Sequence, residues 1–257
     1  MGKELNLNDS QNEISLPQVI RAAEGYLSCI TRLISDKPTK DSESSKMAAG
    51  FFVSMASKYS AILYMAKSEH VSQIPILLRS MFEALADLKN IVNCEGYLDQ
   101  IIFNDATEMK SMVISALKQR EVIGEEVVFE LEMIKTEAEK RIKQAQSVLG
   151  ENVSKMSTAK KIENAGLEHA YSIYKSLCGF SHNQITAIAM QYIGDDGFLN
   201  LNPPPSGLAV AVIGQANLYF EMACHTIPDF MDISEEEVFS SIAAAKVVWN
   251  IAREQPM

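Results

Sequence analysis

The spacing of apolar residues limits this chain's fold more than any other feature. Ile74, Leu78, Met81, Leu85, Leu88 and Val92 recur at alternating steps of four and three. A helix gathers such positions on one face, because 3.6 residues complete a turn. The same period runs through 14–34, 46–66, 97–117, 123–149, 167–178 (continuing toward His182 and Asn183) and 207–230. Boundary signals agree with it. Ser10-x-x-Glu13 and Ser234-x-x-Glu237 have capping-box spacing, the second opening a last helix that runs through Ile251. Pro75 suits a first turn, and Gly150 suits a helix end.

One stretch departs from the period. Met190-Gln191-Tyr192-Ile193 and Phe198-Leu199-Asn200-Leu201 alternate around Gly194-Asp195-Asp196-Gly197, which predicts a β-hairpin at 190–201. Pro203-Pro204-Pro205 would stop its second strand. The sequence therefore predicts an all-α multi-helix bundle of about eight helices with one small hairpin. It has no βαβ alternation, no visible repeat and no composition break, so 1–257 reads as a single domain. The 123–149 helix is the outlier. Residues 118–163 carry nine acidic and nine basic side chains, the pattern of a solvated or protruding helix. Its apolar Val127, Val128, Leu131 and Ile134 could meet a partner helix or a second copy of the chain.

Composition narrows the function classes. Apolar residues make up 47% and charged residues 22%, which excludes a disordered tail or a disulfide scaffold. The net charge of −10 leaves no chain-wide basic footprint, so no DNA partner is expected. Cys29, Cys94, Cys178 and Cys224 have no C-x-x-C spacing and read as free thiols of a reducing cytoplasm. The opening residues lack a signal-peptide core, and the prolines and amides of 198–220 argue against a membrane span. No Gly-rich phosphate loop, nucleophile elbow or H-E-x-x-H is present, so neither cofactor nor metal is expected.

Two constellations remain. On the 74–92 helix, Arg79 and Glu83 stand one turn apart, with Asn90 on the same strip beside the apolar stripe. They form either a surface ion pair or an inward pair kept for a site. On the later helix lie Tyr171, Tyr174, Lys175, Ser176, Cys178, Ser181, His182 and Asn183. Lys175 and His182, seven apart, share a face. His182 is either a hydrogen-bonded helix-end histidine or an acid–base group, since imidazole exchanges protons near neutral pH.

The R-S-x-x-E of Arg79–Glu83, followed by Y-x-x-x-C-x-x-x-H ending at His182, resembles an uncharacterised family of bacterial all-helical proteins. The likeness covers roughly residues 50–205, and that family has no established activity to carry over. A more distant likeness is to the HEPN nucleases of toxin–antitoxin and phage-defence systems, whose hallmark is R-x(4–6)-H on one helix. Lys175-x6-His182 has the spacing, with Lys where that family has Arg. The likeness implies metal-independent cleavage of RNA at a dimer interface. His182 would act on the ribose 2′-hydroxyl, Arg79 or Lys175 would stabilise the phosphorane, and Glu83 would orient one of them. Residues 194–257 carry a net charge of −7, so RNA would approach through Lys155, Lys160 and Lys161. The alternative is a non-enzymatic interaction or small-ligand-binding module.

Overall fold

The computed structural model describes residues 15–68, 70–182, 184–193, 197–199 and 206–254. Among them are eleven α-helices and no strand, the architecture the apolar period predicts. The proposed cap at Ser10 and Glu13 lies outside the described residues. Helix α1 (Leu16–Ile34) starts instead at Ser15, whose backbone N–H donates to Gln18 Oε1 at 2.8 Å.

The body is built around α9 (Ser206–Cys224), which packs against α1, α2 (Glu43–Lys67) and α3 (Ile74–Asn93). Its central position accounts for the apolar residues on its covered faces, among them Ala209, Ile213, Ala216 and Phe220, all fully buried. Phe220 lies 5.4 Å from Phe52 and 5.5 Å from Tyr59, centroid to centroid, with Tyr26 edge-on at 6.5 Å. Inside this aromatic core the Tyr59 hydroxyl donates to Asn217 Oδ1 at 2.9 Å, so neither buried polar group is left unpaired. The last helix, α11 (Glu235–Glu254), lies along α1 so closely that a Cβ on Gly25 would come 2.4 Å from Val248. The capping box read from Ser234 and Glu237 is formed, with reciprocal bonds of 3.0 and 3.2 Å.

Helices α4 (Tyr97–Leu117) and α5 (Glu125–Leu149) form an antiparallel arm. The inner seam of α5 is Val128, Leu131, Lys135, Ala138, Ile142, Ala145 and Leu149, a strict alternation of three and four. It faces Phe103, Ala106 and Val113 of α4. The helix that meets Val128 and Leu131 is therefore α4 of the same chain. Among the described residues, the arm joins the main core through its base, by Tyr97, Leu98 and Ile101.

The structure departs from the expected elements in three places. The stretch expected as the first hairpin strand belongs to α8 (Ile185–Tyr192). Ile185, Ile188, Ala189 and Tyr192 carry the helical period there, and the four-residue alternation is too short to compete. Of the hairpin, the described residues keep one antiparallel bridge, Ile193 to Leu199. Residues 194–196 and 200–201 lie outside them. The helix expected over 207–230 is broken near Thr226, and α10 (Ile227–Phe230) restarts with Pro228 in its first turn. Finally, α6 (Thr158–Asn164) fills a stretch that the period left unassigned.

Candidate functional site

Helix α3 carries a polar strip beside its buried stripe: Arg79, Glu83, Asp87 and Asn90, spaced four, four and three. Beside it lies α7 (Tyr171–Ser181), packed through Phe82 against Tyr174 at 5.7 Å. The strip makes two rungs.

In the upper rung, Glu83 Oε1 accepts from Arg79 Nη2 at 2.9 Å and from the Tyr174 hydroxyl at 2.8 Å. The guanidinium carbon sits 5.7 Å from the centre of the Tyr174 ring. One carboxylate oxygen thus fixes both a cation and a phenol. The side chains of Arg79 and Glu83 are 26% and 32% exposed, so the pair is neither buried nor freely solvated. Among the described residues Arg79 Nε is buried without a hydrogen-bond partner, an unused donor beside the pair. Burial pushes the Tyr174 phenol up to about 12, with Glu83 adding to the shift. Arg79 is raised by its contact with Tyr174 and by Glu83, against the burial that lowers it.

In the lower rung, Asp87 accepts from the Tyr97 hydroxyl at 2.8 Å and from Lys161 Nζ at 2.8 and 3.0 Å. Asn90, fully buried, donates to the Lys161 carbonyl at 2.8 Å and accepts from Cys94 Sγ at 3.8 Å. Burial first, then Asp87, drives the Tyr97 phenol well above its usual range. This rung ties α6 and the base of the arm to α3. Asp87, Tyr97 and the role of Lys161 escaped the sequence reading, because the partners of Asp87 lie ten and 74 residues away. The one available signal was the register of Asp87, four after Glu83.

Of the four predicted site residues, the structure brings Arg79 and Glu83 together and adds Tyr174 to them. Lys175 and His182 lie on the exposed side of α7. The Lys175 ammonium sits 5.3 Å from the Tyr171 ring centre, and Tyr171 stacks on Tyr174 at 6.0 Å. His182 caps α7, its backbone N–H donating to the Cys178 carbonyl at 3.0 Å. Among the described residues its imidazole makes no hydrogen bond or ion pair. It stands eight residues beyond Tyr174, about 12 Å along the helix axis, so it is outside the hydrogen-bonded trio. Gly179 lets the chain turn back here, since its carbonyl accepts from Gln184 N and a Cβ on it would lie 2.9 Å from the Gln184 side chain. Asn183 is outside the described residues.

The lysines expected to meet RNA are engaged locally: Lys155 with Glu108, Lys160 with Glu163, Lys161 with Asp87. Among the described residues, no group of three or more His, Cys, Asp and Glu side chains could hold a metal ion. Glu221, near His225 in sequence, pairs instead with Lys246 at 2.7 Å, while His225 packs on Phe239.

No curated protein and no solved structure matches the chain. Residues 46–199, more than half of the chain, match the model of a family described as of unknown function (DUF5677), and the match takes in both rungs and the whole of α7. The chain belongs to that family.

Proposed function

We propose that the protein is a HEPN-like, metal-independent ribonuclease, a reading that fits a phage-defence or toxin effector, working on the α3–α7 face. The observation that carries this reading is the imidazole of His182, unpaired among the described residues and on the same exposed side of α7 as Lys175. Arg79 is held on the neighbouring helix by Glu83 and Tyr174. Of the four lysines in 155–182, Lys155, Lys160 and Lys161 are engaged by Glu108, Glu163 and Asp87, which leaves Lys175 as the one without an acidic partner among the described residues. In this reading, His182 takes the proton of the ribose 2′-hydroxyl as its oxygen attacks phosphorus. The 5′ oxygen leaves and collects a proton from water, giving a 2′,3′-cyclic phosphate. Lys175, on the His182 face, stabilises the charge that gathers on the non-bridging oxygens, and Arg79, beside Tyr174 about 12 Å back along the helix, holds a neighbouring phosphate of the strand. Glu83 and Tyr174 act through Arg79, as positioning residues.

The test is RNA cleavage by the purified chain in EDTA, with melting measured on the same samples. Wild type should cut, and His182→Ala should lose the activity at an unchanged melting temperature, because an exposed imidazole without a partner holds little of the fold together. Cleavage by His182→Ala at the wild-type rate overturns the assignment.

A second reading, a helical interaction module, is favoured by the arm, whose outer face carries exposed Phe129 and Met133. An RNA-inactive wild type would leave that reading ahead.

A further inference from the structure

The outer face of α5 is turned away from α4. Phe129, Glu132, Met133, Thr136, Lys140 and Lys143 follow one another along it, lining two shallow grooves that share Thr136. Phe129 and Met133 are 67% and 59% exposed, large apolar groups on a helix otherwise well supplied with charge. The charge along α5 is strongly sorted. Residues 125–139 hold six glutamates and one lysine, whereas 140–149 hold two lysines, one arginine and no acid. Part of this sorting serves the helix itself, with Glu125 and Glu126 at its positive end. Part serves α4, through Glu139 with Lys110 and Arg141 with Asp105. Glu132 and Lys140 make only solvated i,i+3 pairs within the helix, with Lys135 at 3.1 Å and Glu137 at 3.7 Å, the kind of exposed pair that exchanges partners at little cost, and Lys143 has no ion pair among the described residues.

We infer that this face pairs with the same face of a second copy of the chain, arm against arm and antiparallel, about a two-fold axis near Thr136. In that register Glu132 of each copy meets Lys140 of the other, and the Phe129 ring meets Lys143, whose methylene stem covers it while the ammonium stays solvated. A two-fold contact is self-complementary by construction, so one helix with an acidic half and a basic half suffices. The parallel arrangement would set acid on acid. The antiparallel one also opposes the two helix dipoles favourably. This pairing does not depend on the ribonuclease reading, because it uses none of the residues of the α3–α7 face.

The experiment is light scattering of the full chain behind size exclusion, at roughly 100 µM and low salt, above the micromolar constants a modest interface supports. Wild type should be dimeric and should dissociate as salt rises and screens the charges. Glu132→Lys and Lys140→Glu should each weaken the dimer by roughly tenfold, since each substitution acts twice in a symmetric pair. The double variant, with the charges exchanged, should dimerise as wild type does. Phe129→Asp should give a monomer with unchanged helicity by circular dichroism. A monomeric wild type under these conditions, or a double variant as weak as the single ones, overturns the inference.

Discussion

The two rungs of α3 use the same chemistry in different settings. Each joins a carboxylate, a cation and a tyrosine, and they stand one turn apart on a single helix. The lower carboxylate, Asp87, is 13% exposed and takes three bonds, shared with a lysine from α6 and a tyrosine from α4. The upper one, Glu83, is 32% exposed, and both its partners meet one oxygen. The contrast teaches that burial, rather than residue type, sorts a structural clamp from an accessible site. Desolvated charges hold the fold only while fully partnered, whereas half-solvated ones can change partners at small cost.

Breaking each rung in turn measures the difference. Asp87→Ala should have the largest effect, about 2–3 kcal/mol of stability, because it leaves the Lys161 ammonium and the Tyr97 hydroxyl unpaired in poorly solvated places. Urea denaturation checks it, and a loss no greater than that of Glu83→Ala would erase the distinction. Glu83→Ala should cost about 1 kcal/mol in the same measurement, while lowering RNA cleavage far more than stability, since it frees Arg79.

Alkaline pH sharpens the comparison without mutating a carboxylate. Both phenols have folded values above the ordinary 10.0, so the protonated form is the one the fold favours. Their contribution to stability is complete below pH 10 and is lost as pH rises, for Tyr174 toward about 12 and for Tyr97 further still. Denaturant midpoints followed upward from about pH 9 should flatten more for Tyr97→Phe than for Tyr174→Phe. The smallest structural effect belongs to Lys175→Ala, within about 0.5 kcal/mol, because the ammonium is exposed. RNA affinity should still fall with it, and an unchanged affinity would remove Lys175 from the site.

The helices were legible because their signal is local. Six apolar positions at steps of four and three are enough to place α3, and the Ser234–Glu237 spacing was enough to start α11. The Arg79–Glu83 pair was legible for the same reason, as both ends lie within one turn. What completes the site was not, since Tyr174 lies 91 residues from Glu83 and nothing in either segment marks the other. Alternation over four residues at Met190–Ile193 misled because a strand and a short piece of helix look alike at that length. Meeting α5 with α4 needed the register of two helices, which their separate patterns do not state.

The seam of α5 has a consequence for reach. Its inward positions repeat every seven residues, apolar at all but Lys135, and α4 begins where α5 ends, at the base, where a Cβ on Gly96 would meet Leu149 at 3.4 Å. Matched blocks of seven residues could therefore be added to or removed from both helices above the base, each changing the span by about 10 Å. Tyr97 and its bond to Asp87 would stay where they are. The arm is in this sense a ruler with fixed graduations, whose length can be reset without touching the end that is clamped.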